Sequence, residues 1–369
     1  MKLRNLIFLI YLFSTALFSC SRIPKVETST ISFKIDSLLQ NVPDFSGVIL
    51  VAEKEKILYH KAFGFRNIER KTPLDTADIF ELASLSKQFT AMIVMMLQEQ
   101  GKLNYEDAIS KYIPDLPYRN ITIRHLLTHT SGLPNYQSVM DEHWDKTKIA
   151  SNKDNIEYLI RYHPAKVFEP GVQFEYSNTG YMLLATIAEK ASGEDFITLC
   201  RNRIFIPLNM TSTDIRTQVE KKQIENFAMG YIYVSEKERY VNADSFPEFN
   251  YTIWLGNRMG PGRVSSTSGD LLKWDRALYS EKLVRQTTLI EAFSPMKLIS
   301  DSLSRYGFGW RIGENAILGK FVFHTGNNPG YKTEIVRYID AGKTIILLNN
   351  NAHERKEEII SFIKDLLKQ

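Results

Sequence analysis

Cysteine is almost missing from this chain of 369 residues: there are two, Cys20 and Cys200. With so few, no framework of disulfides can staple the fold. Cys200 ends Phe196-Ile197-Thr198-Leu199-Cys200, a helical pattern, and is expected to be a small core residue rather than a nucleophile. A surplus of one charge sign is also missing. The net charge is +4, and the lysines and arginines are scattered rather than clustered, which argues against nucleic acid as a partner. There is no low-complexity tract, no internal repeat and no glycine-rich phosphate loop after a strand. His-Glu-x-x-His does not occur. His125 and His129 stand four apart and could share a helix face, but a catalytic zinc needs a third ligand, so both are expected to be structural. Met92, Met95 and Met96 read as core. No metal and no cofactor are expected.

What is present begins with a leader. Lys2 and Arg4 form a basic start, and Leu6 to Phe18 is a mostly apolar run too short for an ordinary membrane span. Leu17-Phe18-Ser19-Cys20 resembles a bacterial lipoprotein signal, with the phenylalanine a loose match. The resemblance implies a signal peptide over 1–19, lipidation of Cys20 and a polar tether over 20–30. The mature protein would then be exported and held at a membrane, facing the periplasm or cell surface, without spanning it.

The rest, 31–369, has the composition of a globular protein, 44 % hydrophobic and 24 % charged. Its patterning changes twice. Ile31 to Val42 has helical spacing. Gly47 to Ala52 and Ile57 to Phe65 are strands across a Glu53-Lys54-Glu55-Lys56 turn. From Ser84 to about Gly260 the pattern is mainly helical with long loops, including helices over Ile121–His129, Asn155–Tyr162 and Gly180–Ala191. Residues 214–258 are irregular and aromatic-rich. Strands return over Tyr306–Ile312, Phe321–His324, Thr333–Ile339 and Thr344–Leu348, and a helix over Glu354–Leu367 closes the chain. Strands at both ends around a helical middle predict an α/β (α+β) domain. One antiparallel sheet would come from about 31–83 and 262–369, and a helical subdomain from about 84–261 would be inserted.

Ser84-Leu85-Ser86-Lys87 opens the apolar run Met92 to Leu97. On a helix, residues i and i+3 share a face, so Lys87 would stand beside the Ser84 hydroxyl. A serine hydroxyl needs a base, and a lysine can be that base once burial lowers its pKa. Ser84 would also offer a free backbone N–H at a helix start, suited to an oxyanion. The same spacing recurs at Ser294/Lys297, beside Pro295, and at Ser361/Lys364, inside an amphipathic helix; neither opens a buried helix. Tyr176-Ser177-Asn178 follows an extended Val172-Gln173-Phe174-Glu175 and opens the 180–191 helix. Tyr118-Arg119-Asn120 and Tyr240-Val241-Asn242 share its pattern without that setting. His324-Thr325-Gly326 ends a strand before Asn327-Asn328-Pro329-Gly330.

In this order the three pieces resemble the beta-lactamase-related serine hydrolases, a group that includes D-alanyl-D-alanine carboxypeptidases, class C beta-lactamases and esterases. Ile79–Ala91, Ile121–Pro134, Phe168–Gly171 and Gly260–Thr267 resemble the same group. The resemblance implies a beta-lactamase/transpeptidase-like fold and an acyl-enzyme on Ser84. Lys87 would take or relay the serine proton. Tyr176 would be general base and then acid, its phenol pKa lowered by Lys87. Asn178 would bind the substrate amide and help hold Lys87. The backbone N–H groups of Ser84 and Asn327 would form the oxyanion hole, and His324, Thr325 and Gly326 would line the edge where a substrate carboxylate sits. Class C beta-lactamases usually carry lysine where His324 stands, and an unperturbed histidine is mostly neutral at pH 7. A D-alanyl-D-alanine carboxypeptidase-like peptidase or an esterase is therefore expected first. A class C-type beta-lactamase is the alternative, and a penicillin-binding-like sensor without turnover is an alternative of another kind. Substrates would be D-amino-acid peptides, esters or beta-lactams.

Overall fold

The computed structural model describes residues 26–369. The expected leader, Cys20 and residues 21–25 of the expected tether lie outside them. Five helices organise the layout: α1 (Val26–Gln40), α2 (Ser86–Glu99), α3 (Asn178–Ser192), α4 (Ser268–Ala277) and α5 (Lys356–Leu366). Helix α1 begins inside the stretch expected to be a tether.

Six antiparallel strands form the main sheet. They are β1 (Gly47–Glu53), β2 (Lys56–Phe63), β3 (Arg311–Asn315), β4 (Gly319–Asn328), β5 (Tyr331–Tyr338) and β6 (Lys343–Asn349), in the order β3-β4-β5-β6-β1-β2. The first two and the last four come from opposite ends of the chain and are joined by pairing of β1 with β6, Gly47 opposite Asn349. Side chains alternate between faces along a strand. Ile49, Val51, Ile345 and Leu347 therefore meet Ile35 and Leu39 of α1 and the Ile359, Ile360 and Ile363 stripe of α5. Val48, Leu50, Ile346 and Leu348 face the other way, into the larger core with Phe89 of α2 and Leu271 and Trp274 of α4. Covered on both faces, β1 and β6 read as continuous apolar runs rather than alternating ones. Each such fully buried aliphatic side chain contributes roughly 1.5–3 kcal/mol.

Two stretches differ from expectation. The strand expected over Tyr306–Ile312 starts only at Arg311, because the chain first turns back on itself, with Gly307 N–H donating to Trp310 O at 2.9 Å. Gly309 has φ +81° within that turn, and a Cβ there would stand 3.0 Å from Gln88 Cα and Lys87 O. The turn lies directly on the start of α2. Residues 214–258, irregular by sequence, contain a hairpin, Tyr231–Val234 with Arg239–Asn242, and the short strand Asp214–Ile215. The inserted region is thus not purely helical. Tyr233 and Tyr240 pair across the hairpin with rings 5.4 Å apart, a cross-strand contact that a linear pattern does not display.

Candidate active site

The segment bearing Ser84 is held from three sides. Phe80–Glu81 pairs with Ser265–Ser266, and Leu82 N–H donates to Val264 O at 2.9 Å. Ala83 then takes φ +50°, an uncommon conformation for a residue with a Cβ, and the tight turn Ala83–Leu85 leads into α2. Ser86 Oγ donates to Ala83 O at 2.7 Å and accepts from Val264 N–H at 3.1 Å. On the sheet side, Thr333 Oγ1 donates to Leu82 O at 2.9 Å. A Cβ on Gly326 would overlap both that oxygen and the Thr333 hydroxyl. Glycine at this point lets β4 lie against the serine turn.

Lys87, in the first turn of α2, is 0 % exposed. Its Nζ lies 3.2 Å from Ser84 Oγ, 2.8 Å from Asn178 Oδ1 and 2.9 Å from Pro261 O. The rings of Tyr176 and Tyr181 stand 4.7 and 5.6 Å from it. Burial, then the charge of Arg258, push its pKa well below the ordinary 10.5. A neutral amine in this place has a lone pair for the Ser84 proton.

Tyr176 and Asn178 flank Ser177, whose hydroxyl caps α3 by accepting from Gly180 N–H at 3.3 Å. Ser177 N–H donates to His129 Nδ1 at 3.0 Å, and the His129 ring packs 4.4 Å from that of Tyr176. His129 thus orients the tyrosine loop, whereas His125 accepts from Thr122 N–H in a helix cap. The two histidines serve separate local structures. The Tyr176 phenol departs from expectation: its pKa is raised, not lowered. Burial dominates, and Ser84, Arg311 and Arg258 offset only part of it. The charges that oppose burial at the phenol are those of Arg311 and Arg258, not that of Lys87. The raised pKa keeps this buried phenol protonated, a proton donor beside the Ser84 hydroxyl.

On β4, His324 is 1 % exposed. Its Nδ1 lies 2.8 Å from Thr325 O and its Nε2 2.8 Å from the Tyr306 hydroxyl. A carbonyl only accepts, so the proton sits on Nδ1 and Tyr306 donates to Nε2. Burial, with Lys87 and Arg311 adding to it, pulls the pKa down to about 3. His324 is neutral across the physiological range. Cations at the site come instead from Arg311, 5.7 Å from the Tyr176 ring, and Arg258. No spacing in the sequence joins either to Ser84, and neither was expected. Thr325, Gly326 and Asn327 follow on the same strand, paired with Glu334, Thr333 and Lys332. Asn328 Nδ2 donates to Glu81 Oε1 at 2.7 Å, and Glu81 forms a buried ion pair with Lys221. This ties the end of β4 to the strand that precedes Ser84.

The other two Ser-x-x-Lys serines lie elsewhere. Ser294 Oγ donates to Ile290 O, and Ser361 is exposed on α5. Cys200 is buried, and burial raises its thiol pKa. A cavity of about 130 Å³ opens beside Tyr176, Ser177 and Asn178, lined also by Leu133 and Phe168. A larger groove of about 1540 Å³ passes Glu81 and Asn328 but does not include Ser84. Of the candidate groups, Tyr176 and Asn178 line the small cleft.

A sequence model of the family described as Beta-lactamase matches residues 35–368. Penicillin-binding protein 4* of Bacillus subtilis (strain 168) is 42 % identical over 315 residues, spanning 85 % of this chain and 70 % of that protein. The crystal structure of a penicillin binding protein from Bacillus halodurans is similar with a TM-score of 0.77 at 24 % identity, covering 90 % of this chain and 98 % of that one. D-amino acid amidase from Ochrobactrum anthropi SV3, solved with L-phenylalanine amide, has a TM-score of 0.72 at 21 % identity, over 93 % and 96 % of the two chains. At these identities the two structural likenesses bear on the fold.

Proposed function

From the premise that this chain belongs to the beta-lactamase family, among the penicillin-binding-protein-like serine hydrolases, we propose that it is a D-alanyl-D-alanine carboxypeptidase-like peptidase or esterase working through an acyl-enzyme on Ser84. The observation that carries this reading is the buried Lys87, its Nζ 3.2 Å from Ser84 Oγ and its pKa depressed. Neutral Lys87 takes the Ser84 proton as Oγ adds to the substrate carbonyl. The backbone N–H groups of Ser84 and Asn327 receive the oxyanion. Tyr176, protonated at rest, gives its proton to the leaving nitrogen or oxygen and is reprotonated from Lys87. Water then enters, and the same groups run in reverse to release the acid. Asn178, which holds Lys87 at 2.8 Å, is placed to bind the substrate amide. His324, Thr325 and Gly326 line the strand along the substrate, and Arg311 supplies the positive charge for a carboxylate on the leaving half.

A class C-type beta-lactamase is the second reading. The neutral, buried His324 weighs against it, since no cation stands at that strand position. We further propose that the protein is an exported lipoprotein anchored through Cys20. Among the described residues no helix is long and apolar enough to cross a membrane. Labelling with radioactive palmitate, lost in a Cys20→Ala variant, checks this.

Intact mass after incubation with benzylpenicillin, with Ser84→Ala as control, tests the main proposal. A persistent adduct on the wild type alone supports the peptidase reading. Drug consumption without a lasting adduct moves the beta-lactamase reading ahead. Neither adduct nor consumption, with D-alanyl-D-alanine peptides and simple esters also untouched, means a non-catalytic sensor.

A further inference from the structure

The small cleft beside Tyr176 is built by the fold before any substrate arrives. Two loops, 129–133 and 167–175, are laced together by backbone bonds. Val167 N–H donates to Gly132 O at 2.9 Å, Gly171 N–H to Thr130 O at 2.8 Å and Glu175 N–H to His129 O at 2.9 Å. Gly132 has φ +65°, and a Cβ there would overlap Phe168 O, so the loops close on each other only because this residue is glycine. The third bond fixes the backbone of Glu175, since His129 is fully buried. At about 130 Å³ the cleft falls short of the roughly 300–1,000 Å³ that takes a whole small ligand; it suits one side chain.

The wall of the cleft has one sign of charge. Leu133 and Phe168 are apolar, while Asn135, Ser177 and Asn178 are polar and neutral. Glu175 is the one acidic residue among those that line it, and no lysine or arginine does. The neutral oxygens are already engaged. Asn135 Oδ1 accepts from Gln137 N–H at 3.0 Å, Ser177 Oγ from Gly180 N–H at 3.3 Å and Asn178 Oδ1 from Lys87 Nζ at 2.8 Å. The exposed Glu175 carboxylate is not engaged: among the described residues no donor and no cation meets it. Lys166, on the same loop, is held by Glu169 at 2.6 Å. Glu175 does not cap α3 either, a task that Ser177 performs. A free carboxylate beside Leu133 and Phe168 matches an ammonium carried on a short aliphatic chain, with the methylenes against the apolar wall and the charge at the carboxylate.

We infer that this cleft is a subsite for an aliphatic ammonium of the substrate, and that Glu175 determines specificity for it. The inference rests on the acyl-enzyme reading and narrows it. Asn178 shares the cleft and is assigned the substrate amide, so the ammonium belongs to the group borne by that amide.

The test uses D-alanyl-D-alanine N-acylated with a 4-aminobutyryl group, with a pentanoyl group of the same length and no charge, or with a glutaryl group. The readout is the ratio of kcat/KM for the aminobutyryl to the pentanoyl compound in the full chain. Any loss of folded protein lowers both alike and cancels in the ratio. A ratio of about five is expected for the wild type, the upper end for an exposed ion pair, with the glutaryl compound the poorest of the three. The ratio should fall to about one in Glu175→Gln. In Glu175→Lys the glutaryl compound should become the best of the three, an inversion that loss of fold cannot produce. A wild-type ratio near one, or a ratio unchanged in Glu175→Gln, overturns the inference. Calorimetric binding of the aminobutyryl and pentanoyl compounds to Ser84→Ala protein separates the two readings. Preference for the aminobutyryl compound there, without turnover in the wild type, would sink the hydrolase reading and keep the subsite. Turnover without preference would do the reverse.

Discussion

Lys87 should make the protein less stable than an apolar residue would, and by an amount that depends on pH. Its amine is fully buried, and its pKa in the fold is held well below the 10.5 of an open chain. Between those two values the unfolded chain carries a proton on this lysine and the folded protein does not. Unfolding therefore takes up a proton, and the free energy of unfolding rises with pH, by about 1.4 kcal/mol per pH unit for one site. The stability tied to the neutral amine is complete above the unfolded pKa and is lost as pH falls towards the folded one. Lys87→Met keeps a chain of similar length and removes the titration. It also removes the donor to Asn178 and Pro261, at a cost of about 1 kcal/mol for each bond, but that cost does not depend on pH. The measurement is the urea unfolding free energy of wild type and Lys87→Met at several pH values from 8 to 9.5. Wild-type stability should climb relative to the variant by close to the single-site slope. A difference that stays flat would mean that Lys87 is charged in the fold, and its assignment as base would go with it. The same variant should lose acylation by about 10²–10⁴-fold.

Three further outcomes follow from the packing. Gly326→Ala should cost roughly 1–3 kcal/mol and abolish labelling of Ser84, because β4 and the serine turn must part; thermal melting and intact mass read both. Gly269→Ala, whose nearest neighbour would be 3.8 Å away, is the control and should gain up to about 1 kcal/mol. Glu81→Gln breaks the buried pair with Lys221 and should cost about 3–5 kcal/mol, while Glu81→Leu combined with Lys221→Met should recover most of it in urea melts. His324, with its pKa near 3, should not titrate during binding of a carboxylate substrate; an ionisation near pH 6.5 in kcat/KM that disappears in His324→Gln would contradict its burial.

Much of this molecule is legible in the order of its residues. The apolar run Thr344 to Leu348 reads as a strand, and the fold makes it β6. Ser84 and Lys87 lie one helical turn apart, so their proximity is a local matter that spacing alone conveys. Asn178 and His324 were recognisable through short patterns at element boundaries, because a cap and a strand end each leave a mark in sequence. What those patterns could not convey was electrostatic state. Whether Lys87 is neutral, whether the Tyr176 phenol is raised or lowered and whether His324 can charge depend on how much water each group keeps, and burial is a property of the assembled structure. The two arginines, the Pro261 carbonyl and the Glu81–Lys221 tie were equally out of reach. They meet the site from segments tens to hundreds of residues away in the chain, through loops with no periodic pattern. Sequence determined the serine and lysine as a pair; only the tertiary structure decided which of the neighbouring groups carry charge beside them.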